Sequence, residues 1–169
     1  MLLAVAVAGL VLVAIPVAAY IVVPALVRST VTEKAPVAAP AALTVASPAT
    51  GAVVPSPAAA DTVLLRGDLR RINAVDFGTG HVTVLQVGDK RFLRFENVEI
   101  AAAPVQHVYL SDRSDGQPGS FTDLGSLRAT SGSFNYELPA GLDLATVHSV
   151  VSWCKQFNTT VTYAVLAVP

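Results

Sequence analysis

The first 27 residues place the strongest constraint on this chain, because residues 2–27 contain no charged side chain. Valine, leucine, alanine and isoleucine dominate the stretch, and about 20 apolar residues in a helix are enough to cross a bilayer. Pro16 and Pro24 are compatible with such a helix, since membrane helices tolerate proline. The sequence therefore predicts a transmembrane anchor or signal anchor over residues 1–28, with the lipid bilayer as partner through residues 2–27.

A cleaved signal peptide is the alternative interpretation of the same stretch. The apolar region of a signal peptide spans about 7–15 residues and follows a basic segment. Residues 2–27 are longer, and nothing basic precedes them, so we favour an uncleaved anchor.

The signals for orientation conflict. Arg28 and Lys34 come after the apolar stretch, and the positive-inside rule would place the C-terminal part of the chain in the cytoplasm. The proline- and alanine-rich segment that comes next is typical of extracytoplasmic tethers. We expect the C-terminal part of the chain on the extracytoplasmic side, at the cell surface.

That proline- and alanine-rich segment, residues 29–61, separates the apolar stretch from the rest of the chain. Its prolines prevent a continuous helix, and no alternation of apolar and polar residues indicates a strand. The sequence predicts a flexible spacer that extends by about 3 Å per residue and holds the next domain away from the bilayer.

Most ionisable side chains lie after residue 61, and the formal net charge of the chain is −1. Binding to nucleic-acid phosphates needs clustered lysine and arginine. The basic pairs at positions 70–71 and 90–91 lie beside Asp68 and Asp89, so no basic patch is formed. The charge pattern therefore excludes a nucleic-acid partner.

From residue 62 onward, short apolar runs are separated by glycine, aspartate, asparagine and proline. Several runs alternate between apolar and polar residues, as strands with one buried face do. Turn signals lie at residues 87–89 and 114–119. The pattern predicts an all-β domain over residues 62–169, a β-sandwich of short, mostly antiparallel strands. The predicted strands are 63–66, 82–87, 91–95, 98–100, 107–111, 134–137, 147–154 and 161–168.

A series of motifs lies in the same region: HVYLS at 107–111, DLGSL at 123–127, NYELPAG at 135–141 and SVVSWCKQF at 149–157. In this order they resemble the DM-thirteen domain, a DOMON-related module of animal proteins and of membrane-anchored bacterial proteins. The resemblance covers residue 63 to the C-terminus. One element differs, since Ala103-Pro104-Val105 stands where the family usually has Gly-Pro-Asp.

The resemblance implies a β-sandwich and a redox or electron-transfer role through the cysteine of the Trp-Cys element. That cysteine is Cys154 here, and Trp153, His107 and Tyr109 are supporting candidates within the same motifs. The resemblance also implies a membrane redox partner rather than a stand-alone enzyme.

Cys154 is the only cysteine, so the chain has neither an internal disulfide nor a zinc site built from several thiolates. A reactive thiol needs partial exposure and nearby positive charge. The alternative is that Cys154 is a small core residue, because free cysteine is among the most buried residue types. In that case the chain would be a non-enzymatic surface-binding or adhesion module.

No cofactor or metal is predicted. Haem-binding DOMON relatives use methionine and histidine as axial ligands, and Met1 is the only methionine, which excludes that ligation. Ligation by paired histidines stays open as an alternative, but no two of His81, His107 and His148 stand at helical ligand spacing, and we favour structural roles for them. No Ser/His/Asp order, nucleotide-binding glycine loop or carboxylate pair indicates a hydrolase or transferase.

Overall fold

The computed structural model describes residues 28–37 and 62–169. In these two ranges, nine strands form a five-stranded sheet with the order β1-β7-β4-β3-β2 and a four-stranded sheet with the order β6-β5-β8-β9. The strands are β1 (Thr30–Thr32), β2 (Thr62–Asp68), β3 (Gly78–Val87), β4 (Lys90–Ile100), β5 (Gln106–Ser111), β6 (Phe121–Ser126), β7 (Ser131–Glu137), β8 (Ser149–Cys154) and β9 (Thr159–Val165), and one short 3₁₀ helix spans Leu144–Thr146.

Both sheets bury their apolar side chains in a single core. Phe95 and Phe134 of the larger sheet stack with ring centroids 4.9 Å apart, and Tyr136 meets both rings edge-on. Val108 and Leu110 of the smaller sheet belong to the same cluster. The prediction of an all-β domain is confirmed, and its strands are arranged in two sheets.

The hairpin of β3 and β4 is longer than the sequence predicts. Gly88 turns the chain with a φ of 61°, as the turn signal at residues 87–89 predicts. The predicted strands 91–95 and 98–100 are one strand, because a bulge at Asn97 lets the pairing continue. Asn97 has a φ of 49°, a conformation that asparagine tolerates better than most residues.

Two strands are absent from the prediction. Strand β6 is half exposed and contains Asp123 and Gly125, so its apolar alternation is weak. Strand β1 lies inside the segment predicted to be a spacer, yet it pairs in parallel with β7, and Val31 packs against the core. Residues 28–37 are therefore part of the folded domain.

Glu33 and Gly132 hold β1 in place. The Glu33 carboxylate accepts hydrogen bonds from the backbone N–H and side chain of Asn135, at 2.9 and 3.0 Å, and from Arg128 at 2.9 Å. Burial raises the pKa of Glu33, but these hydrogen bonds and the Arg128 charge outweigh it, so the pKa is lowered overall. At Gly132, a Cβ atom would lie 2.0 Å from the carbonyl oxygen of Val31. Strand β1 can therefore approach β7 only beside a glycine.

The predicted anchor falls almost wholly outside the described residues. Within residues 28–37 and 62–169, none of the helices has the length and apolar character needed to cross a membrane. The span at residues 2–27 thus stays a prediction.

Replacing Gly132 by alanine should loosen β1. The φ of 107° and the close approach of Val31 both disfavour a side chain there, so the free energy of unfolding should fall by at least about 1 kcal/mol. Gly141→Ala is the matched control, because no atom lies within 4 Å of its added Cβ. Urea unfolding of the two variants measures the difference, and equal stability would contradict the role given to Gly132.

Candidate functional site

Strand β8 places neighbouring residues of the Trp-Cys element on opposite faces of the smaller sheet. Val150 and Cys154 point into the core between the sheets. Val151 and Trp153 belong to a second apolar cluster, which lies on the outer face. This arrangement results from the alternation of side chains along a strand. The thiol and the indole therefore have different surroundings.

Cys154 is buried, with 0% of its surface exposed. Its Sγ donates a hydrogen bond to the carbonyl oxygen of Pro104 at 3.1 Å. Pro104 belongs to the connection between β4 and β5, so the thiol ties the end of β8 to this connection.

The connection is strained at the residue after Pro104. Val105 has a φ of 49°, in the left-handed region that β-branched side chains rarely adopt. Its carbonyl oxygen accepts a hydrogen bond from the N–H of Lys155 at 3.1 Å. Cys154 and Lys155 thus donate hydrogen bonds to the consecutive carbonyl oxygens of Pro104 and Val105. These two bonds hold the strained turn against the end of β8.

A pocket of about 540 Å³ lies at this end of the fold, and Cys154 forms part of its wall. Much of the wall is apolar, and the charged residues that line it are Arg28, Asp76 and Glu99. Arg28 and Glu99 form an ion pair at 2.8 Å. The apolar and small lining side chains come from several elements and include Val75, Phe77, Ile100, Ala101, Ala103, Pro104, Phe157 and Val161.

An aromatic cluster covers the outer face of the smaller sheet. Tyr109 of β5 stacks on Phe121 of β6 with centroids 4.1 Å apart, and its ring lies 6.5 Å from that of Trp153. Tyr109 and Trp153 are almost completely buried, whereas Phe121 is half exposed. Burial, together with the charge of Asp123, raises the pKa of Tyr109.

His107 lies beside this cluster and pairs with Asp123. The Nδ1 atom of His107 is 2.9 Å from a carboxylate oxygen of Asp123, and the Lys155 ammonium is 3.9 Å from the same oxygen. Burial raises the pKa of Asp123, but hydrogen bonds from His107 and the Gly125 N–H and the two nearby positive groups lower it overall. The pair links β5 to β6.

The other two histidines lie elsewhere. His81 pairs with Asp68 at 2.5 Å on the surface of the larger sheet. His148 donates from Nδ1 to the carbonyl oxygen of Asp112 at 2.6 Å. Over the described ranges, no three or more histidine, cysteine, aspartate or glutamate side chains are grouped so that they could hold a metal ion.

The structure thus divides the four candidate residues of the sequence between two faces. His107, Tyr109 and Trp153 lie together on the outer face of the smaller sheet, while Cys154 lies on the inner face beside the pocket. Sequence reasoning missed Phe121 and Asp123, because their strand was not predicted, and it missed the pocket. Phe121, Thr122, Asp123 and Leu124 put one apolar and one polar side chain on each face, so this run carries no alternation that could have signalled the strand.

Comparison with known families gives one match. The family model described as "Electron transfer DM13" matches residues 73–166, which is more than half of the 169 residues. The match begins in the loop before β3 and includes Cys154, the wall of the pocket from Val75 to Val161, and the outer aromatic cluster. No curated protein and no solved structure matches the chain.

Ionised Asp123 should stabilise the fold in a pH-dependent way. Its native pKa lies below the ordinary 3.8, so its contribution is complete above that value and is lost as the pH falls through the lower native pKa. Asp123→Asn should lower the free energy of unfolding by about 1 kcal/mol at neutral pH. The difference from wild type should shrink below pH 3.8.

Chemical denaturation at a series of pH values measures this difference, with Asp89→Asn in the exposed β3–β4 turn as the control. A difference between wild type and Asp123→Asn that stays constant down to the acid limit would contradict the assignment.

Proposed function

Because the chain belongs to the electron transfer DM13 family, we propose that its β domain is a redox module in which Cys154 exchanges electrons with a partner. The observation that carries the proposal is the position of Cys154 in the wall of a largely apolar pocket of about 540 Å³. A pocket of this volume accepts a small group next to the sulfur.

A single cysteine limits the chemistry available. With no second cysteine in the chain, the natural reaction is thiol–disulfide exchange with a partner disulfide. The thiol loses its proton to solvent, Sγ attacks one sulfur of the partner, and an S–S bond to Cys154 forms. The partner's S–S bond breaks, and its second sulfur leaves as thiolate. One thiolate of a partner dithiol then attacks the partner sulfur of the mixed disulfide and releases the Cys154 thiolate. The second thiolate of the dithiol displaces that sulfur in turn, so the dithiol becomes a disulfide, the first disulfide becomes two thiols, and two electrons have passed between the partners.

Access to Cys154 requires a local opening, because its surface is wholly covered. The connection that carries Pro104 and Val105 is the part that must move, since Pro104 accepts the hydrogen bond of the thiol. The left-handed φ of Val105 raises the free energy of the closed conformation and so lowers the cost of opening.

The other three candidates act as positioning residues in this proposal. Tyr109 and Trp153 pack over the outer face of β5 and β8, and His107 joins β5 to β6 through Asp123. They fix the strand whose last residue is Cys154. None of them shares the inner face with the thiol.

The proposal places the domain outside the cytoplasm, tethered to the membrane. The uncharged residues 2–27 support the tether, since their length suits a membrane span. Disulfide partners persist in oxidising compartments, which supports the extracytoplasmic location. A partner resident in the same membrane would meet the domain at high local concentration.

One observation favours a second candidate function. The complete burial of Cys154 is what a core residue would have, and the pocket is largely apolar. The domain would then be a non-enzymatic surface-binding or adhesion module that holds an apolar ligand, with Cys154 contributing only packing.

Two thiol reagents of equal chemistry and different charge distinguish these functions. Neutral methyl methanethiosulfonate should enter the pocket and convert Cys154 to a mixed methyl disulfide, with methanesulfinate as the leaving group. Its anionic sulfonatoethyl analogue should react more slowly. The native full-length chain should react with the neutral reagent at least about tenfold faster than it unfolds globally.

Mass spectrometry measures the modification, and Cys154→Ser is the control for specificity. If both reagents modify Cys154 only at the rate of global unfolding, the redox function is wrong and the binding module remains.

A further inference from the structure

Two apolar side chains are exposed at the mouth of the pocket beside Cys154. Val75 is 74% exposed and Phe157 is 52% exposed, and both line the pocket. They come from separate loops, one before β3 and one between β8 and β9. Exposed apolar side chains gathered around an apolar pocket mark a surface that contacts another apolar phase.

Arg28 lies at the same mouth. It lines the pocket and pairs with Glu99 at 2.8 Å. The next residue, Ser29, is held by a hydrogen bond from its N–H to the Thr130 hydroxyl at 3.0 Å, and β1 begins directly after it. The chain therefore joins the folded domain at residue 28, at the pocket end.

This junction fixes how near the domain stands to the predicted membrane span. Residues 2–27 are the uncharged stretch, and consecutive Cα atoms are about 3.8 Å apart. No spacer separates the end of that stretch from Arg28. The first residues of the expected spacer, 29–61, already reach the larger sheet, since Thr30–Thr32 pair with β7. A membrane span at residues 2–27 would therefore leave no spacer before the folded domain.

We infer that the pocket rim, defined as Arg28, Val75 and Phe157, rests on the lipid bilayer, with Val75 and Phe157 entering the boundary of the hydrocarbon. This inference rests on the membrane anchor of the proposed function. The apolar rim would then contact the same bilayer that residues 2–27 would span.

The contact is apolar rather than electrostatic. Arg28 is neutralised by its ion pair with Glu99, and Asp76 adds a second acidic side chain to the lining of the pocket. With both signs present, the rim has no excess of positive charge to attract anionic headgroups. Binding of the rim should depend little on anionic lipid or on salt.

The orientation also sets the class of molecule that reaches Cys154. A pocket mouth that faces the bilayer admits molecules dissolved in the lipid phase. The partner disulfide or thiol of the proposed function would thus be an apolar, lipid-soluble compound, and water-soluble charged compounds would be excluded.

A fluorescent label at the rim tests the inference without any thiol chemistry at position 154. The full-length Cys154→Ser chain carries Phe157→Cys, labelled with a polarity-sensitive nitrobenzoxadiazole group, and is reconstituted into phosphatidylcholine vesicles. The matched control places the label at Asp89→Cys, in the turn at the far end of β4. Strand β4 has 11 residues, so the control label lies about 35 Å from the rim.

The label at position 157 should emit at shorter wavelength, and nitroxide groups high on the acyl chains should quench it at least about threefold more than the label at position 89. The quenching should not change on adding salt. Val75→Cys in the same background is a second reporter, and its exposed position makes substitution harmless to the fold.

Flotation of the vesicles separates the two possible failures. If the chain floats with the vesicles but the labels at 157 and 75 are quenched no more than the label at 89, the rim does not touch the bilayer and the inference is overturned. If the chain does not float, the anchor of the proposed function is wrong and the inference falls with it.

Discussion

The apolar core that the two sheets bury between them determines where every candidate residue lies. Phe95 and Phe134 from one sheet and Leu110 and Val150 from the other leave no space for solvent, so each strand must turn its apolar face inward. For β8 this face includes Cys154, and the thiol is carried to the edge of the core where the pocket begins. The inward side chains thus decide both the register of β8 and the environment of its only thiol.

The sequence predicted the all-β domain and most strands, because residues such as Val82, Val84 and Leu93 alternate with polar neighbours. It could not predict β6, whose exposed edge position removes the need for strong alternation. It could not predict β1 either, since the pairing depends on Gly132 and Glu33, which lie about 100 residues apart.

Side-chain alternation separated Trp153 from Cys154, but the pocket comes from loops distant in sequence and has no local signal.

Val105 stands where the sequence differs from the family motif, and it directly follows Pro104, the residue that covers the Cys154 thiol. Its φ of 49° suits an aspartate or asparagine better than a β-branched residue, and the family usually has aspartate at this position. Valine stores strain in the connection whose Pro104 carbonyl covers the thiol. In this chain the acidic group is replaced by an apolar side chain that is 55% exposed.

The oxidation state of Cys154 in native membranes tests the central claim most directly. Native membranes are quenched in acid, and their free thiols are blocked. Disulfides are then reduced, the thiols released are labelled with a second reagent, and the peptide that contains Cys154 is analysed by mass spectrometry. Our account predicts that a fraction of Cys154 carries a reducible disulfide, and that a neutral, lipid-soluble reductant removes it faster than a charged one. A thiol that is fully reduced and stays so after addition of a lipid-soluble disulfide would contradict it.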